Sequence, residues 1–205
     1  ISPLLKWGEE NVVAVRVDNA EQPNSRWYSG CGIYRDVRMV RTSPLRVAPN
    51  GTYVTAEPSE DGKTATVNAE VKIVNALPEE KQVYVLNVLV NASGKEVAGT
   101  ESVITVPAGG EADVAQSFTV SAPVLWDVDD PYMYTLHTGV YDGNDLVDRY
   151  ETRIGIRSFR FDAEKGFILN GRKVAVNGVC LHHDFGCLGA AFNVHAARRQ
   201  LEILK

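Results

Sequence analysis

The sequence has few cysteines and no long apolar run. Its three cysteines, Cys31, Cys180 and Cys187, are odd in number and include no C-x-x-C pair. That count argues against a disulfide framework and a thiolate zinc site, and we expect small buried or half-buried thiols instead. No segment approaches the roughly 20 apolar residues that a bilayer-spanning helix needs, and no signal peptide is visible.

Positive charge is also scarce. The chain has 21 Lys and Arg against 26 Asp and Glu, which gives a formal net charge of −5. Because no basic stripe is present, the sequence argues against nucleic acid and membrane surfaces as partners. A neutral ligand such as a sugar is compatible with this charge.

What is present is mostly a strand pattern. Residues 11–18 and 32–41 alternate apolar with polar side chains, which predicts two half-buried strands. Further short alternating runs are separated by turn signals such as Asp61-Gly62 and Asp142-Gly143. These runs are 45–47, 53–57, 64–75, 82–91, 101–106, 111–120, 134–141 and 145–154. So many strands in about 110 residues predict an immunoglobulin-like β-sandwich.

The pattern changes near residue 161. Residues 167–169, followed by Asn170-Gly171, indicate a hairpin, and residues 174–179 indicate a strand buried on both faces. A polar loop over 181–192 follows, and then Asn193 can cap a helix whose apolar face carries Val194, Ala197, Leu201 and Leu204. Strand, loop and helix form the first unit of a βα-repeat, and we expect the rest of that domain beyond Lys205.

Several motifs stand in a recognisable order along the chain. They are WGEENVVAVRVD at 7–18, RWYSGCGIYRDV at 26–37, PVLW with PYMY at 123–134, RIGIR at 153–157, GFILNGR at 166–172 and GVCLHHD at 178–184. The series resembles the family 2 glycoside hydrolases. The His-His-Asp sequence followed by Gly-Cys-Leu-Gly is most similar to the β-galactosidases of that family, while β-glucuronidases and β-mannosidases share the scaffold.

The resemblance implies a mainly β chain with three parts. Residues 1–43 would be the C-terminal part of a jelly-roll sugar-binding domain, 44–157 a complete immunoglobulin-like sandwich, and 158–205 the truncated start of a (β/α)8 TIM barrel. Retaining glycosidases use two carboxyl groups, which in this family lie on later barrel strands. Glu202 is the only Glu after Gly178. We therefore expect an internal fragment that has no catalytic residue and is inactive alone.

The longer protein is expected to cleave terminal β-galactosides. The resemblance implies no cofactor for residues 1–205, and it allows a divalent metal and a homo-oligomer in the full-length protein. The compartment is unknown, with the bacterial periplasm or cytoplasm as the expectation. The alternative of a different class is a non-catalytic carbohydrate-binding or adhesion module, because immunoglobulin-like sandwiches serve many binding proteins.

Four residues are candidates for substrate binding. His182 follows the predicted first barrel strand, which places it at the active face of such a barrel, and the resemblance implies a hydrogen bond to a sugar hydroxyl. Asp184 would fix a histidine tautomer or cap the loop. Arg26 and Trp27 lie where the jelly-roll domain reaches toward the pocket, although scaffold roles compete for both. No metal is assigned to the His182, His183 and Asp184 cluster, since adjacent residues rarely converge on one ion.

Other residues receive structural interpretations. Trp126 and Tyr134 are predicted to lie in the sandwich core, as large aromatic residues usually do. His137 in a strand and His195 on the helix are expected to be structural.

Overall fold

The computed structural model describes residues 1–18, 20, 32–33, 35–182, 185–189 and 191–205. Internal contacts divide the chain into two units. One unit is Val40–Asn177, and the other combines Ile1–Met39 with Gly178–Lys205. The domain limits expected at residues 43 and 157 stay a prediction.

The unit Val40–Asn177 contains ten strands in three antiparallel sheets. Strands β1, β2 and β5 form one sheet, β4, β3, β6 and β7 a second, and β10, β9 and β8 a small third sheet. Their bounds are β1 Leu45–Pro58, β2 Thr64–Asn75, β3 Lys81–Val90, β4 Glu96–Val106, β5 Glu111–Ser121, β6 Tyr134–Asp142, β7 Asp145–Ile154, β8 Phe159–Asp162, β9 Gly166–Leu169 and β10 Arg172–Lys173. The immunoglobulin-like sandwich predicted from the strand pattern is confirmed.

Alternation along the strands explains why two sheets pack face to face. On β2, every second residue from Ala65 to Ile73 is fully buried, while the residues between them face solvent or its margin. A period of two places all these side chains on one face of the sheet. Two predicted runs, 45–47 and 53–57, form the single strand β1, with a register shift between Val47 and Thr52. The positive φ of Asn50, 56°, lies within that irregularity.

The core has two apolar clusters with a polar layer between them. One cluster contains Leu89, Leu136 and Ile156, and the other contains Ile73 and Val83. The polar layer consists of three buried residues, each flanked on its strand by members of both clusters: Asn87 on β3, Gln116 on β5 and Thr138 on β6.

Three predicted strands are absent from the described residues. The segments that carry these patterns are extended or irregular chain: 11–18, the described part of 32–41, and 174–179. Val12 is 84% exposed and Val176 is 75% exposed, so neither segment is buried as its pattern predicted. The physical reason is pairing: a strand needs a neighbour for its backbone hydrogen bonds. Apart from one bond, from the Val174 N–H to the Phe167 carbonyl, no described strand pairs with these segments.

Two predictions of burial were wrong. Tyr134 is buried in the core as predicted, but Trp126 is only half-buried, because its ring lies at the margin of the sandwich with the Arg157 guanidinium over it. Cys180 and Cys187 are exposed, since the segment that carries them lies outside any buried strand. Cys31 lies outside the described residues.

The hairpin and the helix predicted after residue 161 are confirmed. Strands β9 and β10 are joined by Asn170 and Gly171, both with positive φ (47° and 79°), as a two-residue type I′ turn requires. Helix α1, Val194–Leu204, belongs to the other unit, and the Asn193 side chain accepts hydrogen bonds from the His195 and Ala196 backbone N–H groups. No helix among the described residues has the length and apolarity to cross a membrane.

Candidate functional site

His182 lies in the irregular segment that leads to helix α1, and it is exposed. The following loop is compact. The Phe185 N–H donates to the Gly189 carbonyl at 3.0 Å, which closes the loop around a short 3-10 helix, Gly186–Leu188. Gly186 and Gly189 have φ values of 63° and 56°, where a side chain would strain the backbone. Glycine therefore lets the loop turn sharply just beyond His182.

Aromatic packing ties this loop to an earlier motif. The Phe185 and Phe192 rings meet edge to face with centroids 5.8 Å apart. The Arg35 guanidinium lies 5.9 Å from the centroid of the Phe192 ring. All three residues belong to the unit that contains Ile1–Met39 and Gly178–Lys205. The structure thus brings the end of the 26–37 motif onto the loop that bears His182, a contact that the sequence analysis missed because no local pattern links the two segments.

The other predicted site residues cannot be placed. Arg26, Trp27 and Asp184, together with His183, lie outside the described residues, so their roles stay predictions. His195 is exposed on α1, and His137 on β6 lies 3.3 Å from the Glu151 carboxylate and 3.0 Å from the Arg149 guanidinium. Within the described ranges, no three His, Cys, Asp or Glu side chains are grouped closely enough to hold a metal ion.

A second candidate site is a groove at one side of the unit Val40–Asn177. Its volume is about 810 Å³, and its walls are formed by β1 from Tyr53 to Pro58 and by the chain from Arg153 to Phe159. β1 and β7 are both edge strands of their sheets, so the groove lies between two unpaired edges. Its volume falls within the range of small-molecule sites, about 300–1,000 Å³, but it is open to solvent.

The residues behind the groove are fixed by close packing. A Cβ on Gly155 would lie 2.9 Å from the Trp126 Cβ, so only glycine lets these segments approach. The Trp126 N–H donates to the Ile156 carbonyl at 2.8 Å, and the Asn170 side chain donates to the Trp126 carbonyl at 2.9 Å. The Arg157 guanidinium lies 5.0 Å from the Trp126 ring centroid. The PVLW, RIGIR and GFILNGR motifs therefore meet at one point.

An ion pair reinforces the same junction. Arg172 on β10 donates hydrogen bonds from Nε and from a terminal nitrogen to the Asp127 carboxylate, the first at 3.3 Å. The Arg172 guanidinium holds the pKa of Asp127 below its ordinary value, and the Asp129 backbone N–H adds to this effect. The charged pair fastens the small hairpin sheet to the segment that follows the sandwich strand β5.

Comparison with known proteins agrees with the family resemblance that the sequence motifs indicated. The family model described as glycosyl hydrolases family 2 matches residues 47–157. Beta-galactosidase BoGH2A of Bacteroides ovatus is 54% identical over 205 residues, which is 100% of this chain and 24% of that protein. A beta-glucuronidase of Bacteroides fragilis is 31% identical over 93% of this chain and 29% of its own length.

A solved structure agrees with these sequence matches. The crystal structure of a glycosyl hydrolase family 2 member from Bacteroides cellulosilyticus superposes with a TM-score of 0.83 at 33% identity, covering 92% of this chain and 26% of that chain. The chain spans about a quarter of the length of the relatives it matches. Because the family model covers more than half of its residues, the chain belongs to the glycosyl hydrolases of family 2.

Proposed function

We propose that these 205 residues are part of a longer retaining β-galactosidase, to which they contribute a sandwich scaffold and the first loop of the sugar pocket. The observation that carries the proposal is the 54% identity, along the full chain, to a protein named Beta-galactosidase BoGH2A. In this proposal residues 1–43 complete a jelly-roll domain and residues 158–205 begin a (β/α)8 barrel. The partner is a terminal β-galactoside.

His182 is the residue that we assign to substrate binding. A neutral imidazole donates from one ring nitrogen and accepts at the other, which suits a sugar hydroxyl. The exposure of His182, and the compact turn that residues 185–189 form further along the loop, support a role in contacting a ligand. Asp184 would orient the imidazole, and Arg26 and Trp27 would reach the same pocket from the preceding domain.

In this proposal, the two carboxyl groups that the reaction needs belong to the part of the longer protein outside residues 1–205. A retaining glycosidase places an acid/base and a nucleophile about 5–5.5 Å apart on opposite sides of the glycosidic bond. Glu202, the only Glu after Gly178, is exposed on helix α1 rather than at a strand end. Both catalytic carboxylates are therefore assigned to the longer protein, where one protonates the leaving oxygen and the other attacks the anomeric carbon.

A second candidate within the family is a β-glucuronidase. It is supported by the relative of Bacteroides fragilis that carries that name, at 31% identity. The two activities differ in the group at C5 of the sugar, a hydroxymethyl in a galactoside and a carboxylate in a glucuronide. A site built for one should reject the other strongly, because its buried polar groups lose their partners.

Kinetics of the full-length protein test the assignment. We would compare kcat/KM for 4-nitrophenyl β-galactoside, β-glucuronide and β-mannoside under identical conditions. The expected result is a preference for the galactoside of about 10²-fold or more. A higher kcat/KM for the glucuronide would replace the β-galactosidase assignment, and no turnover of any of the three would remove it.

A further inference from the structure

The outer face of the four-stranded sheet is apolar along its centre. Its outward side chains there are aliphatic or tyrosine, and we call this set the β3 face: Tyr84, Leu86, Val88 and Val90 on β3, Val103 on β4, Tyr141 on β6 and Leu146 on β7. Val103 is 59% and Leu146 is 52% exposed. On the outer face of β2, in contrast, Thr66, Asn68 and Glu70 are polar and exposed. Scattered apolar residues are normal on a surface, but a contiguous patch marks an interaction site.

The aromatic end of the β3 face is held in a fixed arrangement. The Tyr84 and Tyr141 rings meet edge to face with centroids 5.5 Å apart. A Cβ on Gly139 would lie 2.9 Å from a Tyr141 ring carbon and 3.4 Å from a Leu146 methyl carbon, so the Tyr141 ring lies along the sheet over the glycine. Because these side chains are already packed, little side-chain ordering would be needed when a partner covers them.

One row across this face has opposite charges at its two ends. The strand register places Glu101 opposite Leu86, Leu86 opposite Gly139, and Gly139 opposite Arg149. Residues that are opposite each other on neighbouring strands project from the same side of a sheet. The row therefore runs from an exposed carboxylate on the edge strand β4 to an exposed guanidinium on the edge strand β7.

Both charged groups keep hydrogen-bonding capacity for a further partner. The Glu101 carboxylate accepts from the Tyr84 hydroxyl, and a carboxylate offers about four acceptor positions. Arg149 uses the same terminal nitrogen for its contacts with His137 and Glu151, both at 3.0 Å, whereas a guanidinium has five N–H donors. Each end of the row can therefore bind a group of opposite charge from another molecule.

A two-fold rotation makes the row complementary to itself. With the axis along the strands, between β3 and β6, the rotation reverses the order of the strands and brings two copies face to face. Glu101 of one copy then meets Arg149 of the other, and Arg149 meets Glu101. Leu86 meets the position of Gly139, over which the Tyr141 ring lies. Charge and apolar surface therefore match in the same arrangement, which identifies a second copy as the partner that fits.

The size of the face is sufficient for such a contact. A surface four strands wide and five alternate residues long covers about 650 Å² at ordinary strand spacings. Two copies would bury about 1,300 Å², near the lower end of the range of about 1,200–2,000 Å² for specific interfaces. We therefore expect a dimer that dissociates on dilution.

We propose that the β3 face is a two-fold symmetric interface between two copies of the full-length protein, in which Glu101 of each copy pairs with Arg149 of the other. The apolar residues of the two faces cover each other between these ion pairs. The inference assumes the longer protein of the proposed function, but it does not depend on which glycoside that protein cleaves.

Sedimentation velocity of the full-length protein over a concentration series tests the interface. Glu101→Arg and Arg149→Glu each place two like-charge pairs in the dimer, so each should raise the dissociation constant by about 100-fold or more. An equimolar mixture of the two variants should associate like the wild type. In the mixed dimer the introduced arginine faces the introduced glutamate, and the native Arg149 of one copy faces the native Glu101 of the other.

A matched control and a milder variant accompany these reversals. Glu70→Arg makes the same charge change on the exposed outer face of β2 and should leave association unchanged. Glu101→Gln removes the charge but keeps an oxygen that can accept from Tyr84, and it should weaken association by about tenfold. Thermal unfolding of each variant checks that it is folded.

Three outcomes would overturn the proposal. They are a wild type that is monomeric at every concentration, single reversals that associate like the wild type, and folded single variants whose mixture does not restore association. A β3 face covered by another part of the same polypeptide would leave the mass unchanged in all variants, which is the second of these outcomes. Turnover is not measured, so a failed β-galactosidase assignment would leave this test intact.

Discussion

Asn87 on β3 donates a hydrogen bond to the Gln116 carbonyl oxygen on β5 at 2.6 Å, and this bond joins the two sheets through the middle of the core. The Gln116 side-chain N–H group in turn donates to the Val85 carbonyl of β3 at 3.1 Å, and the Thr138 hydroxyl donates to the Asn87 side-chain oxygen. All three polar side chains are buried. Because each has a partner, the layer fixes how the sheets face each other without leaving an orphaned group.

Asn87→Leu should therefore be strongly destabilising. The change leaves the Gln116 oxygen and the Thr138 hydroxyl without their partner, and each buried unsatisfied group costs about 1–3 kcal/mol. We expect the free energy of unfolding of the 205-residue chain, measured by urea titration, to fall by about 2 kcal/mol or more. Asn68→Leu, on the exposed face of β2, is the control and should change it by less than about 0.5 kcal/mol. Similar values for the two variants would mean that the buried network contributes nothing.

The sandwich could be predicted from sequence because its strands and turns are each determined by residues that are close together in the chain. Each strand such as β2 carries its own alternation, and each turn its own glycine or asparagine, so neighbours in sequence determine the element. The Asn87–Gln116 link could not be predicted, because its partners lie on strands of different sheets and neither residue has a distinctive local pattern. Half-burial of Trp126 was missed for the same reason: a tryptophan in a family motif gives no sign of whether it faces the core or its margin.

Segments that depend on distant partners were predicted least well. Residues 11–18 and 174–179 have strand composition, but beyond the single hydrogen bond of Val174 to β9 no described strand pairs with them, so their pattern alone could not form a ladder. The candidate site likewise has one part that a local motif indicates and another part that depends on contacts between distant segments. His182 is proposed as a site residue from its motif alone, whereas the stacking of Arg35 on Phe192 follows from the fold of a unit built from both ends of the chain.

Gly155→Ala should destabilise the sandwich by steric conflict. The added Cβ would lie 2.9 Å from the Trp126 Cβ and 3.0 Å from two ring atoms, closer than packed carbon atoms tolerate. Overpacking of this kind costs about 1–3 kcal/mol, and we expect a loss in that range by thermal or urea unfolding. Gly178→Ala is a matched control, because its added Cβ would meet nothing within 4 Å. An unchanged stability in Gly155→Ala would show that the Trp126 segment can move aside.

The Asp127–Arg172 ion pair should make stability depend on pH in the acidic range. The folded-state pKa of Asp127 is lowered by Arg172, so the pair stabilises the fold above the unfolded-state pKa of about 3.9. That contribution is lost as pH falls through the lower folded-state value. Wild type should therefore have a higher melting temperature than Asp127→Asn at pH 7, and the difference should shrink as the pH falls below the unfolded-state pKa of about 3.9. Asp145→Asn, at the exposed first residue of β7, is the control and should leave the melting temperature nearly the same as wild type at each pH, and a constant difference for Asp127→Asn would contradict the pairing.

Residues 1–205 alone should not hydrolyse a glycoside. The reason is the proposed location of both catalytic carboxylates elsewhere in the longer protein, since general acid and nucleophile are both needed. The measurement is release of 4-nitrophenol from a β-galactoside at high protein concentration against a buffer control. Turnover that disappears when one acidic residue of this chain, such as Glu202, is changed to Gln would contradict the assignment.

His182→Ala in the full-length protein is the direct test of the proposed sugar contact. A hydrogen bond to a hydroxyl that strengthens as the sugar distorts toward the oxocarbenium-like state contributes mainly to the transition state. Its removal should lower kcat together with kcat/KM, rather than only raise KM. We expect kcat/KM to fall by about 10²-fold, the size of effect seen when one transition-state hydrogen-bond donor is lost. His195→Ala is the control, because His195 is exposed on helix α1 and its backbone, not its ring, meets the Asn193 cap. Equal losses in both variants would indicate a folding defect, and wild-type kinetics in His182→Ala would remove the residue from the pocket.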